Sequence, residues 1–165
     1  MTARKLAFAP VVSGATRVLV LGSLPGEASL AARRYYAHPL NQFWKLIGGV
    51  IGHDLHALDY ETRLTALAAA GIGLWDTIAS AVRRGSLDAA IREVEAAPLP
   101  DLVERLPGLR AIAFNGATSA RIGRRQLPAD PPFALLDLPS SSPAHAAITL
   151  AQKQERWNLL RKFLG

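Results

Sequence analysis

The chain has 165 residues, 50% of them hydrophobic and 19% charged, a size and balance suited to one compact domain with a single substantial core. It contains no cysteine, which excludes disulfides, thiolate zinc sites, cysteine nucleophiles and iron–sulfur clusters. With 19 basic against 13 acidic residues the formal charge is +6, and arginine predominates. That favours a polyanionic partner, because guanidinium forks suit phosphate oxygens and counterion release adds affinity. No apolar run is long enough to cross a membrane, and the basic N-terminus from Met1 to Leu6 has no sustained apolar stretch behind it. A cytoplasmic protein is expected.

In chain order, Arg17–Leu21 is an uninterrupted β-branched and apolar run, as expected of a fully buried strand. Asn41–Ile51 sets Phe43, Trp44, Ile47 and Ile51 at helical spacing, and Thr62–Ala70 does the same with Leu64, Leu67 and Ala68 before a stop at Gly71. Gly73–Trp75 is a short strand. Leu87–Ala96 and Asp101–Leu106 are predicted as short helices separated by Pro98 and Pro100. Strands follow at Arg110–Phe114 and Phe133–Leu138, and a last helix over Ala151–Leu164 places Trp157, Leu160 and Leu164 on one face. The alternation predicts an α/β fold: one domain over residues 1–165, with three α/β/α layers around a four-stranded, mostly parallel sheet.

Such sheets carry their sites at the carboxyl ends of the strands. Here each strand exits into polar or Gly/Pro-rich sequence: Gly22-Ser23-Leu24-Pro25-Gly26, Asp76-Thr77, Asn115-Gly116 and Pro139-Ser140-Ser141-Ser142-Pro143. The four exits are expected to converge on one cleft. The first loop alone reads as a turn, since it lacks both the Gly-Lys-Ser/Thr of a phosphate-binding loop and the spacing of a dinucleotide fingerprint. Its meaning changes with the stretch that follows, Tyr35-Tyr36-Ala37-His38-Pro39-Leu40-Asn41-Gln42-Phe43-Trp44-Lys45.

Taken together, these two segments resemble the uracil-DNA glycosylase superfamily, most closely its hypoxanthine-DNA glycosylase branch, with the mismatch-specific uracil/thymine enzymes as near relatives. The resemblance continues through Gly71–Asp76, Phe114–Gly116 and Leu138–Pro143, and so covers most of the chain. It implies a metal-free, cofactor-free, monofunctional DNA glycosylase of base excision repair. Such an enzyme, expected here as a monomer, flips a deaminated base out of DNA and hydrolyses its N-glycosidic bond to leave an abasic site.

The resemblance also implies roles. Tyr36 matches the aromatic that stacks on the extruded base, with Tyr35 as a rival, and Gly22 and Ser23 line the base pocket. Asp76 falls where uracil-specific enzymes carry a base-reading asparagine. An ionised carboxylate there accepts from the ring N–H that uracil and hypoxanthine present and that cytosine and adenine lack. Its structural alternative is a helix N-cap. Leu24 replaces the water-holding asparagine of the mismatch-specific branch, and Leu138 replaces the histidine that stabilises the leaving base in the uracil-specific branch. Asn41, in His-Pro-Leu-Asn, is therefore the first choice for catalysis and Asn115 the second, although Asn41 also suits a helix cap and Asn115 a tight turn.

Ser140, Ser141, Ser142, Pro143 and His145 form the loop expected to contact the DNA backbone, and Arg83 and Arg84 are the favoured phosphate ligands ahead of Arg121, Arg124 and Arg125. His53 and His56 have helical spacing but no third ligand, so no metal is assigned. No lysine is assigned as a Schiff-base nucleophile. Uracil ranks slightly ahead of hypoxanthine as the base removed. Two rival readings are a damaged-DNA-binding protein without activity and a hydrolase of free nucleosides or nucleotides. Base release from DNA and a steep salt dependence of binding separate both from the glycosylase.

Overall fold

The computed structural model describes residues 3–165. In chain order the elements are β1 (Arg4–Leu6), β2 (Val18–Gly22), α1 (Glu27–Ala32), α2 (Phe43–Ile51), α3 (Tyr60–Ala70), β3 (Ile72–Asp76), β4 (Ile78–Val82) and β5 (Arg92–Ala96). They continue with α4 (Leu99–Glu104), β6 (Ala111–Asn115), α5 (Ala117–Arg124), β7 (Ala134–Leu138) and α6 (Leu150–Trp157), with 3₁₀ turns at Leu55–Ala57, Asp88–Ala90 and Asn158–Phe163.

The central sheet has the order β3-β2-β6-β7, with every neighbouring pair parallel. Strand β2 lies in its interior and is fully buried, so successive side chains feed opposite layers. Val18 and Val20 enter a core built with Phe43, Leu46, Ile47, Leu67, Trp157 and Leu160, from α2, α3, α6 and the turn that follows α6. Leu19 and Leu21 enter the other, with Leu99, Leu102, Ile112 and Phe114. This is the expected three-layer fold. Each fully buried Val or Leu contributes roughly 1.5–3 kcal/mol.

The sheet register positions the site. Gly22 pairs with Asp76, Leu21 with Phe114, and Asn115 with Leu138, so the four strands end level with one another. The residues just beyond them share one edge of the molecule.

Two departures from the sequence expectation matter. A second, antiparallel sheet of order β1-β4-β5 lies beside the first. Within it, the predicted helix Leu87–Ala96 is instead the turn Asp88–Ala90 followed by β5. Helix-forming Ala and Glu residues dominate that stretch, but its backbone pairs with β4 through an irregular register (Ile78 with Ala96, Ser80 with Glu95, Val82 with Arg92). Tertiary pairing overrides the local propensity. The final helix also ends early: beyond Trp157 it tightens into a 3₁₀ turn that still buries Leu160 completely. No helix among the described residues is long and apolar enough to cross a membrane.

Candidate active site

Beyond the strand ends lies a cleft of about 510 Å³. Gly22, Ser23, Tyr36, Asn41, Asp76, Asn115, Ser140, Ser141, Ser142, Pro143 and His145 all line it. The sequence-predicted base-contacting and catalytic residues therefore meet in one place, together with the serine loop.

Ser141, 1% exposed, is the hub. Its backbone N–H donates to Asn115 Oδ1 at 2.9 Å, and Asn115 Nδ2 donates back to Ser141 Oγ at 2.9 Å. The Ser141 hydroxyl then donates to Asn41 Oδ1 at 2.8 Å. The same Asn41 oxygen accepts the Phe43 backbone N–H at 2.9 Å, and the Gln42 N–H donates to the Ser141 carbonyl at 2.9 Å. A backbone N–H can only donate, so both amide orientations are fixed. Asn41 has its oxygen occupied twice, and no described residue accepts from its Nδ2. What it offers the cleft is an N–H₂ donor. The helix-cap alternative for Asn41 is not realised: Gln42 holds the N-cap position of α2 without a side-chain cap, and Asn41, one residue earlier, accepts the Phe43 N–H in a turn. The turn alternative for Asn115 is realised: Gly116 has φ +98° and leads directly into α5.

Tyr36 is half-buried, with a left-handed backbone at φ +53°. Its ring stacks on Phe43 at 3.9 Å and 11°, and its hydroxyl accepts from Asn115 Nδ2 at 3.4 Å. Burial, reinforced by the nearby Asp76, holds the Tyr36 phenol above its ordinary range and keeps it neutral. Tyr35 is committed elsewhere. It is 4% exposed, its hydroxyl donates to the Ala9 carbonyl at 3.0 Å, and Phe8 meets its ring edge-on. Both tyrosines line the cleft, but only the Tyr36 hydroxyl meets Asn115.

Asp76 ends β3 and is 4% exposed. Strand β4 follows it, so the helix-cap alternative has no helix to cap. Its Oδ2 is buried without a hydrogen-bond partner among the described residues. Desolvation, and secondarily the Asp88 carboxylate, push its pKa from the ordinary 3.8 up to about 7, against a lowering pull from Arg83. Gly22 makes the arrangement possible: a Cβ there would lie 2.6 Å from Asp76 Oδ1 and 3.2 Å from the Tyr36 hydroxyl.

Arg83 requires a correction. It is 1% exposed, and its guanidinium donates to the carbonyls of Gly85 (2.8 Å), Leu24 (3.4 Å) and Pro25. It braces the Gly22–Gly26 loop from behind, enclosed rather than presented on the surface. Arg84, its exposed neighbour, keeps a place on the surface near Ser86, which lines the cleft. Of the two leucines at motif positions, Leu24 lines the cleft and packs with Ile78, Ala81 and Ile122, and Leu138 is buried in the larger core. Lys45, which ends the matched stretch, is exposed on α2 and lines a different hollow.

Sequence reasoning missed Asp88, Leu87 and His38, which also line the cleft. Asp88 accepts from the Ser23 hydroxyl at 2.7 Å. It was hidden by the helix expected over Leu87–Ala96, whereas His38 stands in the quoted motif and was available to be read. Lys153 was missed as well. This α6 residue is 1% exposed, and its ammonium donates to Gln42 Oε1 at 2.8 Å and to the Ser142 carbonyl at 3.4 Å, behind the cleft wall. No group of three or more possible metal ligands occurs among the described residues.

Comparison with known proteins fixes the lineage. The family model described as the uracil DNA glycosylase superfamily matches residues 9–161. The chain belongs to this superfamily. Among curated superfamily relatives, a protein of Methanosarcina barkeri named hypoxanthine DNA glycosylase is 41% identical over 116 residues, 70% of this chain and 73% of that one. A Methanosarcina acetivorans protein of the same name is 41% identical over 112 residues, covering 68% and 71% of the two chains. A solution NMR structure from M. acetivorans, provisionally named a uracil DNA glycosylase, superposes with a TM-score of 0.84 at 34% identity. The match spans 98% of this chain and 99% of that one.

Proposed function

We propose that this DNA glycosylase removes hypoxanthine from DNA in base excision repair, hydrolysing the N-glycosidic bond of a flipped deoxyinosine and leaving an abasic site. The observation that carries the reading is the Asn41–Ser141–Asn115 array beside Tyr36 in one cleft. It occurs in a chain 41% identical to proteins named for hypoxanthine. Those names support ranking hypoxanthine first here, in place of the uracil expected from the sequence, and the provisional name of the NMR structure keeps uracil as the second base to assay.

Breaking the bond builds positive charge on the sugar and negative charge on the departing base. A site that fixes donors where the negative charge appears lowers the barrier without moving anything during the reaction. Asn41 supplies such a donor. Its oxygen, held by the Phe43 N–H and the Ser141 hydroxyl, aims the N–H₂ group into the cleft to donate to the leaving base. Tyr36, backed by Phe43, stacks on the base and holds it. Water then captures the sugar cation, and no side chain has to take its proton before the bond breaks. The serine loop and Arg84 contact the phosphates on either side.

The test is base release from matched oligonucleotides carrying hypoxanthine, uracil or xanthine, in single and double strands. Hypoxanthine should leave fastest, and Asn41→Ala should slow its release about 10²–10³-fold, the usual cost of one such donor, with DNA binding kept. Binding without release from any oligonucleotide refutes the enzyme reading. Release from free nucleosides alone refutes DNA as the substrate.

A further inference from the structure

The mechanism above leaves one buried group at odds with its chemistry. Asp76 lines the cleft with Oδ2 enclosed and unpartnered. Were it ionised, it would set a negative charge against a base that itself becomes negative as the bond breaks. In a desolvated site that repulsion opposes the reaction.

We propose that Asp76 engages the flipped base as a carboxylic acid, donating its O–H to the ring carbonyl and accepting the adjoining ring N–H with its other oxygen. Hypoxanthine presents that pair at O6 and N1, and uracil presents an equivalent pair. The O–H···O contact strengthens as the base takes up charge, so Asp76 joins Asn41 as a donor to the leaving group. This rests on the proposed glycosylase reading and replaces the ionised acceptor expected at Asp76 with a neutral acid that also donates to the leaving base.

The surroundings favour the proton. Tyr36 stands near Gly22 and Asp76, and its hydroxyl is neutral. The Tyr35 hydroxyl, also kept neutral by burial, is turned to Ala9. Asp88, held by Ser23 at 2.7 Å, adds a negative field from the turn after β4. Arg83, just past the end of β4, pulls the other way, but its guanidinium donates to the carbonyls of Leu24, Pro25 and Gly85 and makes no hydrogen bond to Asp76. No described residue donates a hydrogen bond to either Asp76 oxygen, so nothing there stabilises the ionised form by contact. A pair of carboxylates alone would be an acidic cluster. Here the orphaned oxygen, the close fit against Gly22 and the adjoining cleft make Asp76 a built contact for a base.

An acid can move its proton between oxygens and so also suits the amidine edge of adenine. Asp76 is therefore a contact for catalysis and binding more than a filter. Pocket shape and the cost of flipping a paired base carry the selectivity.

Single-turnover excision from a deoxyinosine oligonucleotide, followed from pH 5.5 to 9.5, tests the proposal. The wild-type rate should fall about tenfold per pH unit above roughly neutral pH, as Asp76 ionises. Asp76→Asn keeps a donor at every pH, loses this alkaline fall and should exceed the wild type at least tenfold at pH 9. Asp76→Ala should be slower than both at pH 6. A wild-type rate that rises through pH 7, or an Asp76→Asn protein no faster than wild type at pH 9, overturns it. Titration of the Asp76 carboxyl carbon by NMR in the unmodified protein gives a readout independent of turnover. A midpoint near neutrality supports the proposal and one below pH 5 overturns it, even if no oligonucleotide loses a base and the glycosylase reading fails.

Discussion

Asp76 connects the chemistry of the cleft with the stability of the fold. Its pKa rises from 3.8 to about 7 in the folded protein, through burial first and Asp88 second. Below about pH 4 the carboxyl is protonated in both states and costs nothing. Between pH 4 and 7 the unfolded chain releases the proton and the folded one holds it, so stability falls as pH rises and levels off above. At about 1.4 kcal/mol per unit the full loss is about 4 kcal/mol. Asp76→Asn removes this slope, so urea denaturation should show the variant gaining on the wild type between pH 5 and pH 8. An unchanged difference at the two pH values would mean that Asp76 is ionised when folded. At this scale the residue types were legible in the sequence: asparagine, aspartate and tyrosine at strand and loop exits announce polar contacts to a base. Two things were not legible. Which atom of Asn41 faces the cleft depends on the Phe43 N–H and Ser141 hydroxyl that claim its oxygen, and whether Arg83 reaches solvent depends on the carbonyls of a loop far away in sequence.

Elements decide how these side chains are held. In the main sheet β2, β3 and β6 are fully buried as expected, whereas the edge strand β7 is only partly buried and carries the exposed Asp137. All four strands were legible because each is mostly apolar, and their level ends follow from parallel register. Strand β5 was not, because all five of its residues are exposed and its partner, β4, lies outside the main sheet. Helix α6 shows what periodicity leaves out. Its apolar face docks Trp157, whose indole N–H donates to the Pro139 carbonyl at 2.9 Å, while Lys153 braces the same loop one turn earlier. Lys153 has no carboxylate partner among the described residues, and burial lowers its pKa. Its value lies in joining Gln42, next to Asn41, to Ser142, next to Ser141. Lys153→Met leaves both acceptors without their donor, at a cost of about 1–3 kcal/mol. Excision should slow about tenfold at saturating DNA, with KM little altered, since the loop that aims Asn41 loosens while the phosphate contacts remain. A variant with normal kcat and lowered stability alone would confine Lys153 to a structural role.

For the whole molecule, the excess of positive charge sets how DNA is held. Much of the affinity should come from counterions released at phosphates, so log K should fall linearly with log salt at about −0.9 per phosphate neutralised. Adjacent arginines at the end of β4 separate this effect from folding. Arg84 is exposed beside the cleft-lining Ser86, whereas Arg83 is enclosed behind the Gly22–Gly26 loop. Arg84→Ala should weaken binding to any oligonucleotide, damaged or not, and make the salt slope shallower by about 1. Arg83→Ala should instead lower stability, because three backbone carbonyls lose a charged donor, and should disturb excision through the shape of the loop. Fluorescence anisotropy across a salt series and a melting curve for each variant measure both effects. A shallower slope for Arg83→Ala in a protein of unchanged stability would place its guanidinium on the DNA after all, and would require the loop to open when DNA binds.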